Sequence, residues 1–112
     1  MKNGLIIDSY GNERWYKDDN LHRNDGPAIE YVNGDKSWYQ NGLLHRLSEP
    51  AVEGSDRYKA WYQYGKRHRI DGPAILDPDP LNGEKSWYYQ GKLINCFSQE
   101  EFERIIKLKN FW

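Results

Sequence analysis

Hydrophobic and polar positions alternate over short stretches of this chain, and turn-forming residues separate the stretches. Leu5 to Tyr10 and Glu13 to Lys17 flank Gly11-Asn12, and later stretches flank Asn33-Gly34 and Asn41-Gly42. Alternation of this kind predicts β-strands, and Asn-Gly is the strongest local signal for a tight hairpin turn. The pattern therefore predicts antiparallel hairpins through most of the chain.

The same pattern returns at a nearly fixed interval. Trp followed by Tyr occurs at positions 15, 38, 61 and 87, so the spacings are 23, 23 and 26 residues. Periods of this length are typical of arrays of small structural units. We divide the chain into repeats at 4–26, 27–49, 50–72 and 73–97. They predict an all-β fold, in which tandem hairpin repeats of about 23 residues form an antiparallel meander of about eight main strands.

The longer last spacing contains Asp77-Pro78-Asp79-Pro80. Proline has no amide proton to donate to a strand ladder, so these residues predict an exposed loop.

A different pattern follows the fourth repeat. Ser98 and Glu101 fit a helix-capping box, and Phe97 and Phe102 stand at the positions of a hydrophobic staple. We expect one helix over residues 99–109 that caps the end of the sheet, where an array would otherwise expose apolar side chains and an unpaired strand edge.

Aromatic residues are abundant although the mean hydropathy is only -1.03. The 17 aromatic side chains are too many for a disordered chain, so we expect flat rings to form a thin core. Strand alternation predicts a tryptophan column in the core and a tyrosine column on the other face. Phe111-Trp112 is expected to fold back onto the same core.

Charge and cysteine content limit the classes of function. Sixteen basic and 17 acidic residues give a net charge of -1, so no overall field attracts nucleic acid or an anionic membrane. Cys96 is the single cysteine, and the sequence shows neither a signal peptide nor a membrane span. We therefore expect a cytoplasmic setting and no membrane partner.

The third repeat carries the motif most completely, as Trp61-Tyr62-Gln63-Tyr64-Gly65-Lys66-Arg67-His68-Arg69-Ile70-Asp71-Gly72-Pro73-Ala74. This motif resembles repeats of the MORN type, in the variety found in small phage and giant-virus proteins, and the likeness covers residues 4 to 95. The resemblance implies successive hairpins of one elongated antiparallel sheet. Ser48-Glu49 replaces Asp-Gly in the second repeat, so that turn is not required in every copy.

The resemblance also implies a function. It suggests a small viral accessory protein of the phage type that binds and modulates a host protein, and a counter-defence inhibitor would be one form of this function. We expect no enzyme and no cofactor, because an active site needs one convergent pocket whereas these motifs are spread along a sheet. Two alternatives stay open. One is a nucleotide- or RNA-binding module that uses the Arg, His and Tyr face of the repeats, and the other is an enzyme with a His/Asp site.

Side chains that recur once per repeat form the expected binding surface, because guanidinium groups and amphipathic rings are common interface anchors. The candidate binding residues are Arg23, Arg46, Arg69, Tyr39, Tyr62, His22, His45 and His68. We expect the arginines and tyrosines to form one outward-facing stripe, so a charge reversal at Arg46 should change stability little.

The histidines and arginines also have a structural alternative. Strand alternation places each His on the opposite side from its neighbouring Arg. Successive His copies should stand about 10 Å apart, which disfavours a metal site. In the structural alternative each His bonds a backbone carbonyl, and the Arg two residues before Asp25 and Asp71 braces the turn.

Overall fold

The computed structural model describes residues 1–81 and 83–109, and these residues form short antiparallel strands followed by one helix. The strands are β1 (Gly4–Ile7), β2 (Glu13–Lys17), β3 (Asn20–Leu21), β4 (Ile29–Glu30), β5 (Lys36–Ser37), β6 (Tyr39–Gln40), β7 (Leu43–Leu44), β8 (Val52–Glu53), β9 (Lys59–Ala60), β10 (Tyr62–Gln63), β11 (Lys66–Arg67), β12 (Ile75–Leu76), β13 (Lys85–Tyr89) and β14 (Lys92–Ile94). The helix is α1 (Gln99–Lys109). The predicted all-β meander with one C-terminal helix is confirmed.

Ten strands form one sheet that runs through all four repeats. Its order is β1-β2-β4-β5-β8-β9-β12-β13-β14, and β3 pairs with β2. Each inner repeat adds two neighbouring strands to this sheet, so equivalent residues of successive repeats lie about 10 Å apart. The molecule is accordingly flat and elongated, with extents of 47 × 35 × 18 Å.

A second row of small hairpins lies beside this sheet. β6 pairs with β7 and β10 with β11 as separate two-stranded sheets. The chain passes from the sheet to these hairpins at Trp38 and Trp61. The Trp38 amide donates a hydrogen bond to the Ala51 carbonyl at 2.7 Å, and the next repeat makes the equivalent bond. The described residues therefore contain fourteen short strands rather than about eight longer ones. Each repeat has a third strand (β3, β7, β11 and β14), and the middle strand of each inner repeat is interrupted at its tryptophan.

In the outer hairpins β6–β7 and β10–β11, both residues of the tight turn have a positive φ angle. The φ angles are 50° and 82° at Asn41-Gly42, and 50° and 81° at Tyr64-Gly65. Two successive positive φ angles are characteristic of the tight turn whose twist matches its flanking strands. Asn adopts this conformation readily, whereas Tyr64 does so only under strain.

The core is thin and combines small residues with rings. The alanine that ends the turn motif is 0% exposed in each of the three repeats that carry it. Trp61 and Trp87 are both 8% exposed, whereas Trp15 and Trp38 are only half-buried. The predicted tryptophan core is therefore confirmed for the two C-terminal repeats and is weaker in the first two.

Helix α1 packs on the last strands of the sheet. The Ser98 Oγ accepts a hydrogen bond from the Glu101 amide at 3.2 Å, which confirms the predicted N-cap. Phe102 is fully buried and packs with Trp87 and Ile94. The helix therefore caps the core at the C-terminal end of the array, as the sequence predicts.

The predicted staple between Phe97 and Phe102 is wrong. Phe97 is 96% exposed, because the Phe102 ring is directed into the core instead. The expected packing of Phe111-Trp112 lies outside the described residues.

The segment from Asp77 to Leu81 is exposed, as its prolines predict. Helix α1 has 11 residues, whereas crossing a bilayer takes about 20. In the described part of the chain, no helix has the length and apolar character needed to cross a membrane.

Candidate binding surface

Each of the first three repeats stacks its arginine on its own tryptophan. The distance from the guanidinium carbon to the ring centroid is 4.4 Å for Arg23 on Trp15, 3.8 Å for Arg46 on Trp38 and 3.7 Å for Arg69 on Trp61. A guanidinium within about 6 Å of an aromatic face is attracted to it. The Trp–Arg stack is therefore a repeated unit of this surface.

The stacked arginines also brace the turn that follows them. Arg69 donates to the Pro73 carbonyl at 3.1 Å and to the Asp71 carboxylate at 3.0 Å. The first repeat makes the same two contacts. A Cβ on Gly72 would lie 2.7 Å from the guanidinium carbon of Arg69, so glycine leaves room for this arrangement. Bracing of the turn, the structural alternative for these arginines, is confirmed.

The second repeat also braces its turn with the stacked arginine, but through different carboxylates. Arg46 donates to the Pro50 carbonyl at 3.1 Å and to the carboxylates of Glu49 and Glu53, each at 2.7 Å. Glu49 occupies the place of the turn glycine, and it replaces the carboxylate that Asp supplies in the other repeats. The Asp-Gly pair is dispensable here because another carboxylate reaches the guanidinium.

These contacts correct the expectation that the arginines face outward. The exposed fractions of the Arg23, Arg46 and Arg69 side chains are only 24%, 22% and 20%. The tryptophan ring covers one face of the guanidinium, and the turn occupies its edge. The binding role of these arginines stays a prediction, but only part of each side chain is available for it.

The histidines join each repeat to the next one. The Nδ1 atoms accept hydrogen bonds from the backbone amides of the following turn, from Asn41 to His22 at 3.0 Å, from Tyr64 to His45 at 3.0 Å and from Gln90 to His68 at 2.9 Å. The expected partner is a carbonyl, whereas the observed partner is an amide, so the accepting nitrogen carries no proton. Burial lowers the pKa of His68 below its ordinary value.

Two open clefts lie along the row of Trp–Arg stacks. Cleft A, about 730 Å³, lies between the turn after Arg23 and the stack of Trp38 with Arg46. Cleft B, about 390 Å³, is the corresponding space one repeat further, beside Trp61. The row of stacks therefore alternates with a row of clefts.

The lining of cleft A corrects a second expectation. His45 and Arg46 are neighbours, yet both line this cleft rather than opposite sides of the sheet. Strand β7 ends at Leu44, so the alternation of side chains does not extend to them.

Large apolar side chains stand exposed around both clefts. Leu47 and Tyr64 line cleft A and are each 68% exposed, and Ile70 lines cleft B and is 57% exposed. These residues occupy positions at which the repeats differ in sequence. The framework of the clefts is thus repeated, whereas part of their lining is not.

The next space in the row, cleft C, is filled by the capping helix. The Gln99 side chain accepts a hydrogen bond from the indole Nε1 of Trp87 at 2.8 Å. It also donates one to the Ile70 carbonyl at 2.8 Å. The fourth repeat has Asn95 in place of the stacking arginine, and its tryptophan is hydrogen-bonded through the indole Nε1 to Gln99.

The candidate tyrosines belong to a different cluster. Arg67 donates hydrogen bonds to the hydroxyls of Tyr62 and Tyr88, both at 3.1 Å. Burial, and then the neighbouring Tyr31 and Tyr62, raise the pKa of Tyr39. Neither Tyr39 nor Tyr62 lines cleft A or cleft B. The arginines and tyrosines are therefore two separate features rather than one stripe, and the binding role of the tyrosines stays a prediction.

Sequence reasoning missed the Trp–Arg stacks and Gln99. The stacks have a detectable signal, because Arg follows Trp by eight positions in all three repeats. Gln99 has none, because its contact with Ile70 spans 29 residues and depends on where the helix docks.

Within residues 1–81 and 83–109, no group of three or more His, Cys, Asp or Glu side chains could hold a metal ion. Comparison of the chain with protein-family models, curated proteins and solved structures gives no match.

Proposed function

We propose that this chain is a small accessory protein, of the viral type that its repeat motif resembles, which binds and modulates a host protein in the cytoplasm. Clefts A and B, with their stacked walls, would be the binding surface. The observation that supports this proposal most is the exposure of Leu47, Tyr64 and Ile70 around these clefts. Exposed apolar side chains grouped beside fixed aromatic and Arg groups are typical of protein interfaces.

Two observations favour a protein partner over a nucleotide or RNA. The stacked arginines already pair with carboxylates, so a phosphate would have to compete with these carboxylates for the guanidinium groups. The tyrosine hydroxyls at positions 62 and 88 are bonded to Arg67.

The enzyme alternative gains no support from the geometry. The Nδ1 atom of each histidine accepts a backbone amide proton, and Asp25 and Asp71 pair with arginine. A His/Asp acid–base pair would need these groups to face each other.

Photo-crosslinking from one cleft residue tests the proposal. The photoreactive residue p-benzoylphenylalanine would replace Leu47 in cleft A, and the matched control would replace Val32, which lies outside both clefts. The two sites are almost equally accessible, at 68% and 67% exposed. After irradiation in bacterial cells, we expect a discrete protein adduct from position 47 that unlabelled wild-type chain suppresses, and none from position 32.

Equal labelling from both positions, or no adduct from position 47, would contradict the proposal. An adduct that ribonuclease removes would support the RNA alternative instead.

A further inference from the structure

Cleft C shows which chemical group fits between two repeats. The indole Nε1 of Trp87 needs an acceptor and the Ile70 carbonyl needs a donor, and one carboxamide satisfies both. A planar amide carries an acceptor oxygen and a donor nitrogen side by side. Gln99 is therefore a ligand for this kind of cleft that the chain itself provides.

Clefts A and B offer the same two groups without a partner. The residues equivalent to Trp87 and Ile70 are Trp38 and Asn24, which both line cleft A, and Trp61 and Leu47 one repeat further. Trp61 lines cleft B, and Leu47 stands between Arg46 and Ser48, which line it too. Within the described residues, neither equivalent indole Nε1 donates a hydrogen bond, and neither equivalent carbonyl accepts one. Trp61 is 8% exposed and its Nε1 is buried without a partner. A buried donor normally has a hydrogen-bond partner, so the unpaired Nε1 of Trp61 is a candidate for binding an acceptor of a ligand.

We propose that clefts A and B each bind a side-chain carboxamide, from Gln or Asn of a partner protein segment, in the position that Gln99 takes in cleft C. This inference rests on the proposed function and names the group that is recognised. The carboxamide accepts from the indole Nε1 and donates to the carbonyl of the preceding repeat. In cleft A the donor is the indole of Trp38 and the acceptor is the Asn24 carbonyl. In cleft B they are the indole of Trp61 and the Leu47 carbonyl.

The pairing of donor and acceptor selects an amide over an acid. A carboxylate can accept from the indole but has no proton for the carbonyl, so it would bring two acceptors together. An apolar side chain of the same length would leave both protein groups unpaired.

The spacing of the clefts restricts the partner segment. Equivalent groups of neighbouring repeats stand about two strand spacings, or about 10 Å, apart. A polyproline II segment rises about 3.1 Å per residue with three residues per turn, so residues three apart lie on one side about 9 Å from each other. The expected segment therefore has two Gln residues separated by two others and an extended, proline-compatible backbone.

Cleft A should be occupied before cleft B. It is the larger space, about 730 Å³ against about 390 Å³, and Trp38 is only half-buried. The Nε1 of Trp61 is closed to solvent, so a ligand must displace a neighbouring side chain to reach it.

Titration followed by the indole N–H resonances tests the inference directly. The chain has five tryptophans, which Trp→Phe variants assign. The probe is the synthetic peptide acetyl-Pro-Gln-Pro-Pro-Gln-Pro-Pro-amide, and the two controls carry Met or Glu in place of both Gln residues. We expect the Trp38 resonance to shift first and the Trp61 resonance at higher concentration, and the controls to bind roughly tenfold more weakly or worse.

The Trp87 resonance supplies an internal control. It should not respond to the probe in the wild-type chain, because Gln99 occupies cleft C. In the Gln99→Ala variant, provided its spectrum shows a folded chain, the same resonance should become responsive.

Several results would overturn the inference. One is a probe that leaves Trp38 and Trp61 unshifted up to its solubility limit, and another is equal binding of the Met peptide. Tighter binding of the Glu peptide would make the arginines the recognition groups instead. If crosslinking from position 47 succeeds while the probe fails, the proposed function stands and carboxamide recognition is wrong.

Discussion

The imidazole Nδ1 of His45 accepts a hydrogen bond at 3.0 Å from the backbone amide of Tyr64, and the two rings lie 4.3 Å apart between centroids. His45 belongs to the second repeat and Tyr64 to the third. The same boundary carries backbone hydrogen bonds, among them one from the Gly65 amide to the Leu44 carbonyl at 2.8 Å and one from the Arg46 amide to the Tyr62 carbonyl at 3.2 Å. The histidine therefore extends the contact between neighbouring repeats beyond the strand ladder and holds Tyr64 in its strained turn conformation.

We expect His45→Leu to lower the free energy of unfolding by about 1 kcal/mol, because the Tyr64 amide loses its acceptor. His45→Asn should lose less, since the Asn side-chain oxygen can lie near the position of Nδ1. Urea unfolding of the two variants measures the difference. Equal losses would mean that ring packing, rather than the hydrogen bond, makes the contribution.

Acidification should weaken the boundary between the third and fourth repeats. Burial lowers the pKa of His68 in the folded chain, so the unfolded chain binds this proton first as the pH falls. The contribution of His68 is thus complete above its ordinary pKa of about 6.5 and is lost progressively as the pH falls through the folded value. Urea unfolding at several pH values should show a smaller pH dependence between pH 7.5 and 5.5 for His68→Asn than for the wild type. Identical slopes would show that His68 takes up its proton equally in both states.

Arg46→Glu should destabilise the chain by about 2 kcal/mol or more. It removes the stack on Trp38 and places a third carboxylate beside Glu49 and Glu53. This expectation replaces the small effect that an outward-facing arginine would have. The matched control is Arg57→Glu, because the exposed Arg57 side chain contacts no carboxylate or ring among the described residues. Thermal unfolding of both variants tests whether Arg46 braces its turn. Similar melting temperatures for Arg46→Glu and Arg57→Glu would instead support an outward-facing Arg46.

Gln99→Ala should lower the free energy of unfolding by about 1 to 3 kcal/mol, although Ala favours helices more than Gln does. The change leaves the Trp87 indole and the Ile70 carbonyl without their shared partner. The control is Glu103→Ala, at an exposed site of the same helix. It makes a similar change in helix propensity without removing a contact of the core, so it should leave the free energy of unfolding unchanged or raise it slightly. A loss of the same size in both variants would assign the effect to the helix itself.

The four tryptophans of the repeats should differ in importance. Trp61→Ala removes a ring that is 8% exposed and should lower the free energy of unfolding by about 3 to 5 kcal/mol. Trp15→Ala should cost clearly less, because Trp15 is only half-buried in the first repeat. Urea unfolding gives both values. If Trp15→Ala and Trp61→Ala lowered the free energy of unfolding equally, the core would not be concentrated in the C-terminal repeats.

The fold was predictable because local signals and the repeat agree with each other. Asn41-Gly42 specifies its turn by conformational preference alone, and Ser98 with Glu101 marks the start of the helix. Each of these signals acts over a few residues. The period then places the hairpins side by side without any knowledge of long-range contacts.

The site was less predictable because its contacts cross repeat boundaries. The acceptor role of His45 depends on which atom of the neighbouring turn faces it, and alternation fails as soon as β7 ends at Leu44. The exposure of Phe97 likewise depends on Phe102 being used in the core. Sequence patterns give the period of an array more readily than the rotation of one unit against the next.

The division of the clefts into a repeated framework and a variable lining has a consequence for how such a surface could evolve. The backbone bonds, the histidines and the Trp–Arg stacks maintain the scaffold, whereas positions 24, 47 and 70 carry Asn, Leu and Ile, and positions 41, 64 and 90 carry Asn, Tyr and Gln. Substitutions at positions 24, 47 and 70 would alter ligand preference at small cost to folding, whereas positions 41, 64 and 90 also have to adopt the positive φ of their turns. Specificity and stability would then be under nearly independent selection, and a protein that must follow a changing partner benefits from that separation.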